Sequence, residues 1–387
     1  MNAPKVVITA TQAQWACLLS KVNHAADPSA AIPILAGVKF HEHNGYLHAT
    51  CTDLTITLSA VSDITVPPGL AFAVNQQKLM GLFKLYASDT TLKMTLEFDK
   101  DRLLLQSGKS RSTLGLLPPQ DFPEIARPDT DFPFSCEVLP LWWTTALRYT
   151  EPFMAQKDSR LYLNGLRFQA AASTQTLLLT AADGRRLAQF KDNALPSPFT
   201  QDWDTILPRT ALTEVSRLLL QKDTAPLTLR LSASQLKVTH SGVVLYANLI
   251  ESKYPDVSKI IPPIPAPSVA TVSTLDLQSS LKHFAVLHDA KATAAVFDFK
   301  DGILSLRAHC TTISSAPNTD ASDELEVDYR GPDQTCAYNV GFLQDALKTI
   351  QADTIELHNF DASKPLRIVD PADPRITQLI MPLRVST

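Results

Sequence analysis

Six segments of the chain carry apolar residues at the spacing of an amphipathic α-helix. In one of them Leu79, Leu82 and Phe83 share a face, because residues three and four apart in a helix lie side by side. Pro140 suits a helical first turn, and Ser273 is a plausible N-cap. The six predicted helices are residues 11–26, 75–88, 140–156, 209–221, 273–290 and 339–352.

Runs of alternating apolar and polar residues separate these helices. "DRLLLQSG" and "SQLKVTHSG" are typical: each alternates and then ends at a glycine turn, which indicates a half-buried β-strand. Helices interspersed with such strands predict an α+β fold. The pattern predicts a unit of a leading helix, a strand pair, a middle helix and further strands.

This unit recurs along the chain. "DFPEI" around Pro123 and "KYPDV" around Pro255 are 132 residues apart, and the same shift aligns the predicted helices upstream of them. A third copy follows near Ala337. The period is too long for a solenoid, so it predicts three copies of one domain. Proline-rich linkers place the predicted domains at 1–128, 129–262 and 263–387.

Composition places the chain among soluble globular proteins. Of 387 residues, 45% are hydrophobic and 19% are charged, and no run of 18 apolar residues occurs. The first residues lack the pattern of a signal peptide. The five cysteines are dispersed with no CxxC, which favours reduced thiols over disulfides or a zinc site. We therefore expect a cytoplasmic protein with no membrane attachment.

Charge is unevenly divided between the helices and the remainder. The formal net charge is −4, yet the six predicted helices carry eight basic and five acidic residues. A mildly basic helical surface on an acidic protein would attract phosphates without holding any base. Random scatter of charge is the alternative interpretation, and charge alone does not separate the two.

Each local motif that suggests a catalytic or binding site lacks a feature that such a site requires. "SGKS" lacks the glycine of a phosphate loop, because Leu103 stands at that position, and a strand follows it. His41 and His43 in "HEHNG" have no third ligand in sequence and indicate exposed turn histidines rather than a metal site. "SDELEVDYR" predicts a strand with an acidic face; a catalytic carboxylate pair is the weaker alternative. Trp142–Trp143 predicts core packing. We expect no catalytic residue, cofactor or metal.

The order and spacing of several stretches resemble those of the bacterial DNA polymerase III β sliding clamp family. The matching stretches are "IPILAGV", "ATCTDL", "QSGKSRSTLGLLPPQDFPEI", "SRLYLNGLRF", "TAADGRRLA", "ILPRTAL", "KYPDVSKIIP" and "IMPLRV", and the resemblance they define extends over almost the whole length of the chain. The resemblance implies three clamp-type domains, with helices on an inner face and antiparallel sheets outside. Two protomers would join head to tail in a ring around double-stranded DNA.

The resemblance also implies partners and sites. A member of this family is not an enzyme; it encircles DNA of any sequence and binds DNA polymerase subunits and the clamp loader through short linear peptides. The implied peptide pocket is Leu163, Gly184, Arg185, Arg186, Leu187, Pro255, Lys259, Ile260, Leu379, Ile380, Met381, Pro382, Leu383, Arg384 and Val385. The implied DNA-facing residues are Lys78, Lys84, Lys157, Arg160, Tyr162, Arg209, Arg217 and Lys282. The implied dimer contacts are Ser112, Leu114, Val286 and Leu287.

The chain departs from the family pattern at some of these positions. Ala182 stands where threonine is usual, and Lys259 replaces an arginine and loses its planar fork. Ser112 stands where an aromatic residue is common, and Ser29 where an arginine is. Ala292 and Pro365 are further departures in the pocket. Two functions follow: a divergent sliding clamp, or a clamp-like interaction scaffold that does not stably encircle DNA. An enzyme with a concealed site is a third, less favoured class.

Overall fold

A computed structural model describes residues 5–124, 128–196, 198–219, 224–287, 293–310 and 321–384. One order of elements recurs three times along it. The first copy contains β1 (Val6–Thr11), α1 (Gln12–Ser20), β2 (Gly37–His43), β3 (Tyr46–Thr52), β4 (Ile56–Thr65), β5 (Ala71–Asn75), α2 (Gln76–Phe83), β6 (Thr91–Glu97), β7 (Arg102–Ser107) and β8 (Ser110–Leu117).

The second and third copies follow the same order. The second contains β9 (Phe134–Val138), α3 (Pro140–Thr150), β10 (Gly165–Ala171), β11 (Thr176–Ala182), β12 (Arg186–Asp192), β13 (Trp203–Pro208), α4 (Arg209–Leu219), β14 (Leu227–Leu231), β15 (Gln235–His240) and β16 (Val243–Asn248). The third contains β17 (Ser268–Ser273), α5 (Thr274–Leu287), β18 (Thr293–Lys300), β19 (Ile303–Cys310), β20 (Ser322–Glu326), β21 (Asp328–Arg330), β22 (Gln334–Asn339), α6 (Val340–Thr349), β23 (Thr354–Asn359), β24 (Leu366–Val369) and β25 (Ile376–Ile380).

The three-fold α+β repeat is confirmed, and its predicted internal order is corrected. A strand precedes each leading helix, and the first two copies have four strands, not two, between their helices. The predicted helices were also too long. The first ends at Ser20 and gives way to a 3-10 turn at Asn23–Ala25, and the third ends at Thr150, just before Pro152. Apolar residues continue beyond these ends because the turns also pack against the core. Residues 220–223 and 288–292, at two predicted helix ends, lie outside the described residues.

The chain divides into two compact units that do not coincide with the repeats. One unit is residues 1–140 with 208–249, and the other is residues 141–207 with 250–387. The first holds a 12-stranded sheet, in which β16 pairs antiparallel with β4. The second holds a nine-stranded sheet, in which β25 pairs antiparallel with β12, and a four-stranded sheet. The strands of the middle repeat are therefore shared between the sheets of the other two.

The paired motifs "DFPEI" and "KYPDV" occupy equivalent places. Phe122 and Tyr254 are both buried, at 5% and 4% exposure. Lys39 lies over the Phe122 ring at 5.5 Å, and Arg167 lies over the Tyr254 ring at 5.3 Å. Each cation covers an aromatic ring, an attractive arrangement. The recurrence thus extends to individual contacts.

Large aromatic residues fill the cores. In the first unit Trp15 of α1 stacks with Phe83 of α2 at 5.9 Å, which fixes the two helices side by side. In the second unit Trp142 and Trp143 are buried at 7% and 0% exposure, so the predicted core role of this pair is confirmed. None of the helices in the described ranges is long and apolar enough to cross a bilayer.

The turn motifs adopt tight hairpins. "SGKS" connects β7 to β8 with Ser107 paired to Ser110 and Gly108 at a φ of 54°, so it is a strand turn rather than a phosphate loop. "HEHNG" turns between β2 and β3 at Asn44 and Gly45, both with positive φ. "SDELEVDYR" forms β20 and β21, and Glu324 and Glu326 of β20 are exposed.

Glu97 at the end of β6 anchors a cluster of three cations. Its carboxylate is 3% exposed and lies 2.6 Å from Lys5 Nζ and 2.6 Å from Arg102 Nε, with Lys100 Nζ at 3.9 Å. Hydrogen bonds from Lys5 and Arg102 lower the pKa of Glu97 from 4.5 to about 2. Folding therefore favours the ionised carboxylate, and this contribution is lost as the pH falls through that interval.

We predict that Glu97→Gln lowers the free energy of unfolding at pH 7, and that the difference from wild type shrinks between pH 4.5 and 2. Urea titrations at a series of pH values measure this. Glu251→Gln, at an exposed loop glutamate, is the matched control and should have little effect. A Glu97→Gln deficit that does not change with pH would contradict the assignment.

Candidate functional site

Buried apolar side chains from five segments of the second unit converge at one corner of the nine-stranded sheet. The cluster contains Leu163, Ala182, Leu187, Ile206, Tyr254, Val257 and Leu379. Leu187 on β12 pairs directly with Leu379 on β25, so the antiparallel register places the two side by side. Three predicted pocket residues, Leu163, Leu187 and Leu379, thus lie in one cluster, each at 3% exposure or less.

The exposed rim of this corner is also apolar. Ile260 is 52% exposed, Met381 40% and Leu161 60%. Pro255 is exposed as well. A buried apolar floor with exposed flexible apolar residues at its edge is the usual character of a site that receives a hydrophobic ligand.

Gly184 allows a close approach on one side of the corner. It has a φ of 90° in the turn from β11 to β12, a conformation that favours glycine. A Cβ atom there would lie 2.8 Å from an Nη atom of Arg160. Arg160 in turn pairs with Asp158 at 2.8 Å, and its hydrogen bonds lower the Asp158 pKa to about 2. Arg160, predicted to face DNA, therefore also covers this turn.

Arg186 links β12 to the last helix of the chain. Its Nε donates to Asp183 at 2.8 Å, and one Nη donates to Asp345 of α6 at 2.8 Å. The guanidinium lies over the rings of Phe153 and Phe342, at 5.4 and 4.5 Å from their centroids. With its side chain only 11% exposed, Arg186 is largely committed to these contacts. Its position favours support of the corner over contact with a ligand. Arg185 beside it is exposed.

The tail that follows β25 is held at the corner by its backbone. After the buried Ile380, the Met381 amide donates to the Arg185 carbonyl at 2.9 Å, and the Leu383 amide donates to the Ala337 carbonyl at 2.7 Å. Pro382 is half-buried and Arg384 exposed. Val385, also predicted here, lies outside the described residues.

The "KYPDV" loop also contributes to the cluster, through Tyr254 and Val257. Tyr254 is buried and meets the Tyr162 ring edge-on at 5.7 Å, so Tyr162 packs on the cluster. Asp256 accepts hydrogen bonds from the Ser258 amide and hydroxyl, at 3.0 and 2.7 Å, which fixes the 3-10 turn Ser258–Ile260. This turn presents Lys259 and Ile260 to solvent.

Among the departures, Ala182 is part of the buried floor, so the missing hydroxyl makes the floor wholly apolar there. Lys259 is exposed and Pro365 is buried, whereas Ala292 is outside the described residues.

Neither Tyr254 nor Asp345 was predicted as a site residue. The repeat of "DFPEI" could have indicated Tyr254, but nothing local in the sequence indicates Asp345, which is 159 residues from Arg186.

The remaining residues predicted to face DNA lie on α2, α4 and α5, directly after α2, and in the segment that follows α3. Lys78, Lys84, Lys157 and Lys282 are exposed, Arg209 is half-buried, and Arg217 pairs with the buried Glu214. With the observed bounds, the six helices in the described residues carry six basic and three acidic residues. The helices remain mildly basic on an acidic chain, as the sequence indicated.

The residues predicted at the dimer contact lie on two elements. Ser112 and Leu114 are half-buried on β8. Val286, near the end of α5, is 83% exposed. Leu287 ends α5, and its side chain lies outside the described part.

Solved structures with the same fold are numerous. The DNA polymerase III subunit β of Pseudomonas aeruginosa superposes with a TM-score of 0.88 and 24% identity, covering 98% of this chain and 100% of that chain. The Caulobacter crescentus pol III β structure gives a TM-score of 0.89 at 23% identity, covering 99% and 100%. At these identities the likeness shows the fold.

Sequence comparison points to the same group. The β sliding clamp of Haemophilus influenzae is 26% identical over 357 residues, 92% of this chain and 93% of its own length. Models of the DNA polymerase III β subunit match consecutively: the N-terminal domain at residues 7–126, the central domain at 144–256 and the C-terminal domain at 259–384. With nearly its whole length matched in order, the chain belongs to the DNA polymerase III β-subunit family, the β sliding clamps.

Proposed function

We propose that two copies of this chain form a closed ring that encircles duplex DNA and tethers DNA polymerase subunits and the clamp loader through the corner at Leu187 and Leu379. The chain would act without catalysis, as a processivity factor in the cytoplasm. The proposed domains are 1–128, 129–262 and 263–387. The tether raises the concentration of a bound polymerase at its template, so it needs no chemistry of its own.

The strand pairing between repeats is the observation that carries the ring. β4 of the first repeat pairs with β16 of the second, and β12 of the second pairs with β25 of the third. β20 is the corresponding strand of the third repeat, and it ends its sheet. β8 is the last strand of the first repeat, as β16 and β25 are of the second and third. Its pairing with β5 is confined to Leu116 and Leu117. Pairing β20 with β8 of a second copy would repeat the same junction.

Charge and apolar exposure support this third junction. β20 presents Glu324 and Glu326, while the β7–β8 turn and β8 present Lys109 and Arg111, all exposed. Opposite charges on two strand edges favour their association and oppose self-pairing of either edge. Ser112, Leu114, Val286 and Leu287 would line the contact. Because the contact is heterologous and is used twice, it closes into a ring of six domains.

The basic helices suit a loose hold on DNA. Lys78, Lys84, Lys157 and Lys282 are long exposed cations without a base-reading motif, and Arg160, Tyr162, Arg209 and Arg217 would lie near them. Such cations bind phosphates independently of sequence, and the affinity falls with salt. A protein held on DNA by ring closure can slide, whereas a scaffold that does not encircle DNA would dissociate from circular DNA at once.

DNA topology tests the ring. We expect that the protein, loaded by a clamp loader onto nicked circular DNA, stays bound through gel filtration and is lost when the DNA is linearised, because a ring slides off the ends. Blocking both ends with bound protein should restore retention. Retention on unblocked linear DNA would indicate gripping of a site and contradict the topological hold; no retention on circles would favour the scaffold.

The corner is the proposed peptide site. An apolar anchor of a partner peptide would rest on Leu163, Leu187 and Leu379, with Pro255, Lys259, Ile260 and the tail from Met381 to Val385 at its edge. Gly184 lets the Arg160 side chain pack on the β11–β12 turn beside the site, and Arg384 and Lys259 offer charge to acidic peptide residues. A Pseudomonas aeruginosa sliding clamp structure with the same fold, at a TM-score of 0.88 and 24% identity, is bound to griselimycin.

Substitution of the rim tests this site. We predict that Ile260→Ser with Met381→Ser weakens binding of a fluorescent polymerase-derived clamp peptide at least about tenfold, since each removes an exposed apolar contact. Fluorescence anisotropy measures the affinity. Val7→Ser, at a residue of similar exposure (47%) on β1, is the control and should bind normally. Equal affinity in the double variant and the control would rule this corner out.

A further inference from the structure

The hairpin of β2 and β3 brings a third histidine to the "HEHNG" motif. His41 on β2 is directly paired with His48 on β3 in the antiparallel register. The ring centroids of His41 and His48 are 5.3 Å apart, and those of His43 and His48 are 5.5 Å apart. The motif itself contains no third ligand, because His48 lies beyond the turn and joins the pair only when the strands align.

These separations match those of imidazoles that share one metal ion. A metal about 2.0–2.1 Å from each ligating nitrogen lies about 3.2 Å from each ring centroid, so two such rings at a tetrahedral angle have centroids about 5.2 Å apart. The three histidine side chains also differ in conformational freedom. His41 and His48 are half-buried, whereas His43 is exposed and can change rotamer.

The surroundings leave a ring nitrogen without a hydrogen-bond partner. Nδ1 of His41 is buried and makes no hydrogen bond within the described residues. Lys39 on β2 opposes a bound cation. Glu42 favours one, and its carboxylate is held in place by the Gly45 and Gly69 amides at 2.7 and 3.1 Å.

We propose that His41, His43 and His48 form a surface site for a divalent first-row transition metal that prefers nitrogen ligands, such as Zn²⁺, Ni²⁺ or Cu²⁺. Within the described residues no three His, Cys, Asp or Glu side chains already stand as a metal-holding group. The site therefore forms in two steps: the cross-strand pair His41 and His48 binds the ion, and His43 rotates in as the third ligand. Water completes the coordination.

Such a site would lie apart from the proposed peptide corner and from the basic helices. Its ligands come from β2 and β3 of the first unit, whereas the cluster at the corner is made of residues of the second unit. Binding a metal to the folded state alone stabilises that state by mass action. The inference is independent of the proposed function, since a chain that loads onto DNA normally can still fail to bind metal.

Metal titration of the untagged, metal-stripped full chain tests the site. We expect ZnCl₂ and NiCl₂ each to bind one ion per chain by isothermal titration calorimetry at pH 7.5 and to raise the melting temperature, with reversal by EDTA. His48→Gln should weaken binding at least about tenfold, as loss of a metal ligand does, and His43→Gln should weaken it less. His24→Gln, at an exposed histidine of the same unit, should leave binding unchanged.

Two results would overturn the proposal: no saturable binding of either ion by the wild type, or equal binding by wild type and His48→Gln. A second measurement excludes misfolding as the cause of any loss. His48→Gln should keep the melting temperature of the metal-free wild type within a few degrees and should still load onto circular DNA. If that variant is unfolded, His41→Gln paired with His43→Gln provides the same comparison.

Discussion

Antiparallel pairing between strands of successive repeats is the constraint on which the rest of the structure depends. β4 with β16 and β12 with β25 extend each sheet from one repeat into the next. Buried leucines fix the register at both junctions: Leu58 faces Leu245 in one, and Leu187 faces Leu379 in the other. A slip of one residue would turn the buried face of a strand to solvent, so the apolar pattern permits one alignment.

The candidate peptide site is a consequence of the second junction. Because β12 meets β25 in this register, the end of β25 reaches the turn that contains Gly184, and the tail continues past Arg185 with its amide bonded there. Arg186 then joins the same turn to α6 through Asp345. The site is therefore built from the middle and last repeats together. Ile56 begins β4 at the first junction, and Arg186 begins β12 at the second. The equivalent strands therefore carry different side chains at this position, and the surroundings of the two junctions differ.

The periodicity of apolar residues predicted the helices and the three-fold repeat, because both depend on local spacing. It failed where pairing is distant in sequence. Nothing between Arg186 and Asp345 signals their ion pair, and His48 joins His41 only through the hairpin register. The strand preceding each leading helix was missed because "VVITAT" runs directly into the helix it caps at Thr11. The family resemblance predicted which apolar residues belong to the pocket at this corner. Periodicity alone would have assigned Leu163, Leu187 and Leu379 to the core, and in the structure they are buried.

Within one chain, strand pairing joins the first repeat to the second and the second repeat to the third. One junction of the same kind is left to make, between β20 and β8. Two copies can make it twice and leave neither edge open, whereas a monomer exposes both. The molar mass in solution tests this most directly. Light scattering across micromolar concentrations should give twice the chain mass of 42.4 kDa. A mass of one chain at every concentration would contradict the ring.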